Sequence, residues 1–533
     1  MRLRTKVFLV FLALVAAAVL YGVWLHYRLK GTVESYRREL VARGEKVTIA
    51  ELTPLLPTNG PNGAGPLLSA AARFSARGYD YHLAPATMRY ITNGRARVAW
   101  SQEELIDSNG TNLWPGVAKA LEARGPQLAV IRLELEKPVL WVALDYQQGF
   151  LLRLPHLAYF KAAAQWLSAS AVLNLHEGNS DSAAEDLRTL TRLVRNYGDE
   201  PLLISQLVSL AMRQIALGTI WEALHARDLS EETLAEIQSD WETMNGFRQL
   251  DASFCMERAM VSQLLSQLRV SYAEAQSTVT SAGAGTPAVS ILQEAVELGE
   301  KVWENPKEAA SLIRQSFIGY LPWKWWWSYQ LELEAWQVWQ AFTDTVRETS
   351  AQDNWSSAIK SMTQTYAPVE SESAKAGHWG SVFTEISRTA RDSLTKFAGF
   401  ETQRRLLVTA IAIRRYELLH GKPPETLGDL VPKQLSAIQM DPMDGKPLRY
   451  RPNPDGTFVL YSVGLDGVDD GGDTGDGEKP ERLWWRKRDA VWPQPATPEQ
   501  VREYQAELVR KSKYRADAPA SPDLNSQESP PAP

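Results

Sequence analysis

The first pattern along the chain is an unbroken apolar run from Val7 to Leu25, preceded by Arg2, Arg4 and Lys6. At about 1.5 Å per residue such a run makes a helix of roughly 28 Å, close to the hydrocarbon thickness of a bilayer. All of its backbone groups can pair inside the helix, as lipid requires. Tyr21, Trp24 and Tyr27 gather at its far end, where amphipathic rings favour the membrane–water interface. The run predicts a transmembrane helix at 7–25 behind a cytoplasmic stub at 1–6. A cleaved signal peptide with a small-residue site at Ala16–Ala18 is the rival reading, but apolar residues continue to Leu25, which argues for a signal anchor. Arg28, Lys30, Arg37 and Arg38 follow the span, so the basic flanks nearly balance. The short stub before a large remainder favours a single-pass protein of the bacterial inner membrane, its C-terminal domain extracytoplasmic.

Beyond the span, residues 26–66 read as a juxtamembrane segment and linker, because 54–66 (PLLPTNGPNGAGP) is rich in Pro and Gly. Residues 67–150 mix short apolar stretches, such as Gln127–Glu134 and Pro138–Leu144, whose period does not separate helix from strand. From Pro155 the helical period is clear. Ala162–His176 forms one helix, ended by Gly178-Asn179. Ala183, Leu187, Leu190 and Val194 lie on one face of the next, with Ser182 and Glu185 as a capping box. Ile204, Val208, Ala211 and Ile215 mark a third. Leu234, Ile237, Trp241 and Met244 mark a fourth, capped by Ser230. The pair 162–196 loosely resembles one tetratricopeptide hairpin, without a second copy at a fixed period; a plain antiparallel bundle is the other reading. Residues 272–288 are rich in Ser, Thr, Ala and Gly and read as a mobile connection.

A further helical stretch, Val289–Val346, carries Trp323, Trp325, Trp326, Trp327, Trp336 and Trp339. These rings are either a patch for a bilayer surface or a partner, or a tryptophan-rich core seam. Thr497-Pro498 with Gln500 starts a terminal helix over 491–515. Residues 516–533 hold almost no large apolar side chain and are expected to be a disordered tail.

A chain of 533 residues is too long for one core, so several domains are expected. The net charge of −6 and the lack of a long basic face argue against a nucleic-acid partner. A lone cysteine, Cys255, forms no internal disulfide, excludes sites built from several thiolates, and reads as an inert core thiol. His26, His82, His156, His176, His225, His378 and His420 form no HExxH or other two-histidine metal spacing. No GxSxG elbow, Walker loop or dinucleotide fingerprint occurs. The sequence therefore nominates no catalytic residue, and the chain is not read as an enzyme. A pocket gathering His156 or His176 with carboxylates would reverse that reading.

Residues 403–477 stand out. A helix through Arg404–Leu419 ends at His420-Gly421-Lys422-Pro423-Pro424. A short helix at Leu427–Val431 and Asp441-Pro442 follow. Pro447–Arg451 and Thr457–Val463 read as strands joined by the turn Asn453–Gly456. The second strand runs into GLDGVDDGGD at 464–473. The segments YELLHGKPPETLGDL, DPMDGKPLRY and LYSVGLDGVDDGGD, in this order, resemble the globular domain of the major pseudopilin of type II secretion, over about one-seventh of the chain. In that family the loop binds calcium. The resemblance implies ligands at the carbonyls of Leu460 and Val463 and the carboxylates of Asp466, Asp473 and Asp476. The last two match only approximately in spacing. Calcium takes hard oxygen ligands, and glycine-separated aspartates let a short loop wrap it; a solvated acidic turn is the other reading. The N-terminus departs from a pseudopilin: its membrane segment begins RTKVFLVFL, without the processed leader or the glutamate at the fifth position. A role as a pilin subunit is not expected.

The fold class expected is mainly α: an N-terminal transmembrane helix, an antiparallel helical body over 67–400, and a small α+β pseudopilin-like module over 401–490. The expected role is a membrane-anchored binding or scaffolding protein of the cell envelope, with calcium as the cofactor of the module and envelope proteins as partners. An accessory part of a secretion or pilus-like system and an envelope enzyme with an unfamiliar site are the alternatives.

Overall fold

The computed structural model describes residues 3–58, 60–75, 84–226, 228–270, 323–375, 378–473 and 488–517. Helix makes up 66% of it, with few strands. The expected connection at 272–288, the helical stretch before Trp323, His82, Asp476 and the tail beyond Asp517 lie outside the described residues.

Helix α1 (Leu3–Ala42) contains the apolar run and is long and apolar enough to cross a bilayer. Leu9, Val10, Phe11, Leu12, Leu14, Val15, Val19 and Leu20 are all exposed. An all-round apolar surface of this kind has the composition of a membrane span. Withdrawing eight such side chains from water is worth on the order of 15 kcal/mol. The helix does not stop where the apolar run ends. It continues through Lys30 and Arg38 to Ala42, with Val33 and Leu40 buried against the body. The stretch read as a juxtamembrane linker is thus helical for its first half. A capping box between Thr48 and Glu51 then starts α2 (Ile49–Leu52).

The segment whose period was undecided holds α3 (Ala64–Ser75), an antiparallel hairpin of β1 (Arg89–Thr92) and β2 (Arg95–Arg97), and α4 (Trp114–Glu134). A bundle follows: α5 (Pro155–His176), α6 (Ser180–Asn196), α7 (Leu203–Leu224), α8 (Glu231–Thr243) and α9 (Gly246–Leu268). On α6 and α8 the expected faces are the buried ones, Ala183, Leu187, Leu190 and Val194, and Leu234, Ile237 and Trp241. On α7 the expected Ile204, Val208, Ala211 and Ile215 form the less buried side, with Ile204 exposed, because α7 is apolar on nearly every side. Ser230 caps α8, its hydroxyl accepting the Thr233 N–H. The box expected at Ser182 and Glu185 is not a cap, because α6 starts two residues earlier, after Asn179. Helix α7 is also apolar enough to cross a membrane, but 67% of that stretch is buried in the body, which marks a core helix.

A π-helical turn (Trp323–Trp327) leads into α10 (Ser328–Gln352), followed by α11 (Trp355–Lys375) and α12 (His378–His420). The tryptophans divide between the two readings. Trp336 and Trp339 are core residues, whereas Trp325 and Trp327 are exposed. Helix α10 runs parallel to the second half of α1. Trp326 meets Gly22, Trp336 clusters with Leu40, Arg43 pairs with Asp344, and Glu45 pairs with Arg347.

Helix α12 crosses the expected module boundary at 400/401 without a break, held by buried Glu401 and Arg404 and half-buried Arg405. The hairpin appears as expected: β3 (Arg449–Pro452) and β4 (Phe458–Ser462) pair antiparallel, with Tyr450 opposite Leu460. Strand β5 (Ala490–Val491) adds to β4, and β6 (Gln494–Pro495) pairs in parallel with β2, four hundred residues away. Helix α13 (Pro498–Asp517) then begins with the expected Thr497–Gln500 reciprocal cap and lies on β1. The C-terminal segment is therefore woven into the body.

Candidate functional site

The acidic loop is built on a buried carboxylate. Asp441 is fully buried and accepts from the Met443 N–H (3.0 Å), the Ser462 hydroxyl (2.7 Å), the Val463 N–H (2.9 Å) and the Arg449 guanidinium (2.7 Å). Burial pushes its pKa up, and the four donors oppose that. It thus ties the Asp-Pro segment to the end of β4, where the loop begins. The same segment caps a helix: the first N–H groups of α11, from Trp355 and Ser356, donate to the carbonyls of Pro442 and Met443. The Ser356 hydroxyl donates to the carbonyl of Leu465 (2.8 Å). A Cβ at Gly467, whose φ is +70°, would lie 2.6 Å from that hydroxyl oxygen, so only glycine fits there.

Arg449 gathers three aspartates: Asp441, Asp444 (2.6 Å) and Asp469 (3.3 Å). Asp469 also accepts from Gly471 N–H (3.0 Å) and the Tyr461 hydroxyl (3.1 Å); these donors and Arg449 hold its pKa below the usual range. Arg488 pairs with Asp470 and Asp473, both at 3.4 Å. Asp489 is fully buried. One of its oxygens accepts the Gly472 N–H (2.7 Å), and the other has no hydrogen-bond partner among the described residues. Burial, with Asp469 and Asp470 nearby, pushes its pKa up to about 6.

The residues nominated as calcium ligands are distributed as follows. The Leu460 carbonyl accepts the Trp492 N–H at 2.8 Å in the β4–β5 ladder. Val463 is buried beside Asp441 and donates its N–H to it. Asp466 accepts the Val468 N–H of its own loop (3.2 Å), and Asp473 pairs with Arg488. Among the described residues no group of three or more His, Cys, Asp or Glu side chains is placed to hold a metal ion. Sequence reasoning had no signal for Asp489, which follows residues 474–487 with no motif of its own. Asp441 and Arg449 were visible only as part of DPMDGKPLRY.

His156, His176 and His225 are taken up structurally. His156 Nε2 lies 2.9 Å from Glu200, but both residues are sealed from solvent, 3% and 8% exposed. His176 is held to the Trp100 carbonyl (2.8 Å) and stacked on Trp114 with centroids 4.1 Å apart. His225 is pushed down to about 4 by burial, with Arg414 adding to the effect, and is neutral at physiological pH. A surface groove of about 580 Å³ between α6 and α8 is lined by Arg188, Arg192 and Arg195, with Glu236 and Asp240 pairing the outer two. Neither histidine thought able to mark an enzyme opens onto that groove.

No family model matches the chain, and neither a curated protein nor a solved structure is similar enough to match it.

Proposed function

We propose that this chain is a membrane-anchored scaffold of the cell envelope, which holds its C-terminal module at a fixed height above the bilayer for an envelope protein to bind. The observation that carries the reading is the passage of α1 from its exposed apolar half into the packed body without a loop. A freely tethered domain needs a linker, and here there is none. Helix α10 lies beside that anchor at one end. At the other, Asp353 pairs with Arg405 (2.7 and 2.8 Å), and the next residues cap onto the Asp-Pro segment. Its 25 residues make a strut of about 37 Å. On this reading α1 crosses the inner membrane with its basic stub inside and the body outside.

Calcium closes the acidic loop in the same proposal. Its support is the oxygen of buried Asp489 that has no hydrogen-bond partner among the described residues, close to Asp469 and Asp470. The helix, hairpin and acidic loop follow in the order that the pseudopilin resemblance leads one to expect, which supports a borrowed fold in a new role.

One experiment tests the topology on which this rests. Cys255 is buried, so a cysteine placed at exposed Arg502 is the reactive thiol. In intact spheroplasts, a membrane-impermeant maleimide labels Arg502→Cys from outside. Labelling only after lysis refutes the extracytoplasmic scaffold. The binding role is tested by crosslinking in native membranes: a defined envelope protein is recovered with the full chain and lost when Asp441→Ala disrupts the module. Recovery of the full chain alone refutes it.

A further inference from the structure

The rings at the end of the apolar run and those of the π-helical turn form one surface. The Trp326 indole N–H donates to the Gly22 carbonyl at 2.8 Å, and a Cβ at Gly22 would lie 2.8 Å from the Trp326 ring. Only glycine allows so close an approach without displacing that ring. His26 Nδ1 lies 2.9 Å from the Trp325 carbonyl, and its ring packs on Trp325 and Tyr329 with centroids 4.8 and 5.3 Å away. These contacts fix the level of the turn along α1. Trp326 sits roughly one helical turn inside the end of the apolar run, and Trp325 lies at its edge.

Two tryptophans of the turn are exposed where those further along the helix are buried. Trp325 and Trp327 are 39% and 43% exposed, whereas Trp336 and Trp339, further along, are 2% and 3%. Tyr21, Trp24 and Tyr27 of α1 are exposed at the same level. Arg28 lies over the Trp24 ring, 5.2 Å from its centroid, and Lys30 follows on the exposed side. Exposed indoles, tyrosines and cations directly beyond an apolar span match the chemistry of a phospholipid headgroup layer.

We propose that the Trp323–Trp327 turn is a second membrane contact, with Trp325 and Trp327 seated in the headgroup layer beside Trp24 and Tyr27. This rests on reading α1 as membrane-spanning. The bilayer then holds the body at two points instead of one, which fixes its rotation about α1. The occupant is lipid because the patch is continuous with the apolar surface of α1; a protein partner on the same rings is an outcome the test separates.

The test is site-directed spin labelling of the full chain in vesicles of phosphatidylethanolamine with a minor share of phosphatidylglycerol. Labels are placed one at a time as Leu12→Cys, Trp325→Cys and Arg502→Cys, and relaxation is read with oxygen, which enters lipid, and with a neutral nickel chelate, which stays in water. The expected order of the oxygen-to-nickel ratio is highest for Leu12→Cys, intermediate for Trp325→Cys and lowest for Arg502→Cys, with Trp325→Cys several-fold above Arg502→Cys. A value for Trp325→Cys equal to that of Arg502→Cys, while Leu12→Cys stays high, overturns the second contact and leaves the anchor standing. A low value for Leu12→Cys overturns both.

Discussion

Glu222, fully buried on α7, accepts the backbone N–H of Met88 at 3.0 Å, and Met88 stands in the left-handed region at φ 48°. The other oxygen of Glu222 accepts the Ala99 N–H at 2.7 Å, so one carboxylate fastens both ends of the β1–β2 hairpin to the central helix. A Cβ at Gly218, one turn earlier, would lie 2.6 Å from the Thr87 hydroxyl oxygen, so the hairpin approaches α7 to glycine distance.

Replacing Glu222 by Ala takes the acceptor from the buried Ala99 N–H, at about 1–3 kcal/mol, and from the half-buried Met88 N–H, at the lower end of that range. Glu222→Gln retains one acceptor, so its loss is about half as large. Burial pushes the Glu222 pKa up to about 8 against the pull of the two N–H groups and Arg97. The folded state thus keeps a proton that the unfolded state releases near the ordinary carboxylate value. The contribution of Glu222 is fully present below that value, falls as pH rises towards 8, and is constant beyond. Denaturant unfolding should therefore show the wild type losing ground against Glu222→Gln between about pH 5 and pH 9; parallel pH profiles contradict the assignment.

Arg449 pairs with Asp441, Asp444 and Asp469, while Lys446 also reaches Asp444 at 3.8 Å. Asp441 is fully buried, so Arg449→Ala strands a carboxylate in the core and should cost about 3–5 kcal/mol. The double variant Arg449→Met with Asp441→Asn removes both charges and should recover part of the loss. Urea titrations of the three proteins decide it; equal losses in the single and double variants count against charge stranding.

How much of this was legible in the sequence follows from where the information is local. The apolar run, the faces of α6 and α8, the Ser230 cap and the β3–β4 hairpin depend on residues close in sequence, and all appeared as expected. The continuation of α1 to Ala42 was not legible, because its buried positions, Val33 and Leu40, face a helix three hundred residues away. The pairing of β6 with β2 was hidden for the same reason: two-residue and three-residue strands carry no period. For the acidic loop, the sequence supplied the aspartates but not their partners. Arg449 and Arg488 compensate several of the charges that spacing alone offered to a cation.

Asp353 ends α10 in the left-handed region, φ 51°, while its carboxylate pairs with Arg405. Asp353→Gly loses the ion pair but fits the backbone. Asp353→Ala loses the pair and also strains the cap, which adds about 1–2 kcal/mol. The prediction is a ranking of thermal midpoints: wild type, then Gly, then Ala. An Ala variant as stable as the Gly variant would show that backbone conformation is not limiting.

Asp489 gives the calcium proposal a sharp test. Its pKa, pushed up to about 6 by burial and the neighbouring Asp469 and Asp470, means that the ionised form is disfavoured in the fold. Its contribution is greatest at acid pH and falls as pH rises through 6. Without calcium, Asp489→Asn should be at least as stable as the wild type at neutral pH, since the amide oxygen can still accept the Gly472 N–H. With millimolar calcium the wild-type midpoint should rise and the variant should not. Calorimetry of the full chain showing no heat on adding calcium removes the ion from the proposal.

The coupling of α1 to the body passes through Glu45, which follows α1 and pairs with Arg347 and with Arg258, a residue wholly buried against Trp336. Burial pushes the Glu45 pKa up, but the Arg347 hydrogen bond and both guanidinium charges outweigh it and hold the carboxyl below its usual range. Glu45 thus stabilises the fold at neutral pH, and that stability is lost as pH falls through its lowered pKa. Glu45→Ala leaves Arg258 buried without its carboxylate, a loss of about 3–5 kcal/mol. Because Arg258 also donates to the Lys46 carbonyl at 2.7 Å, the damage should concentrate where α1 meets α10. Hydrogen exchange of the full chain in detergent should then speed up over residues 33–52 and 336–347 in Glu45→Ala and leave β3 and β4 unchanged. Uniform acceleration throughout the chain would mean that Glu45 supports the whole fold rather than the joint between α1 and α10.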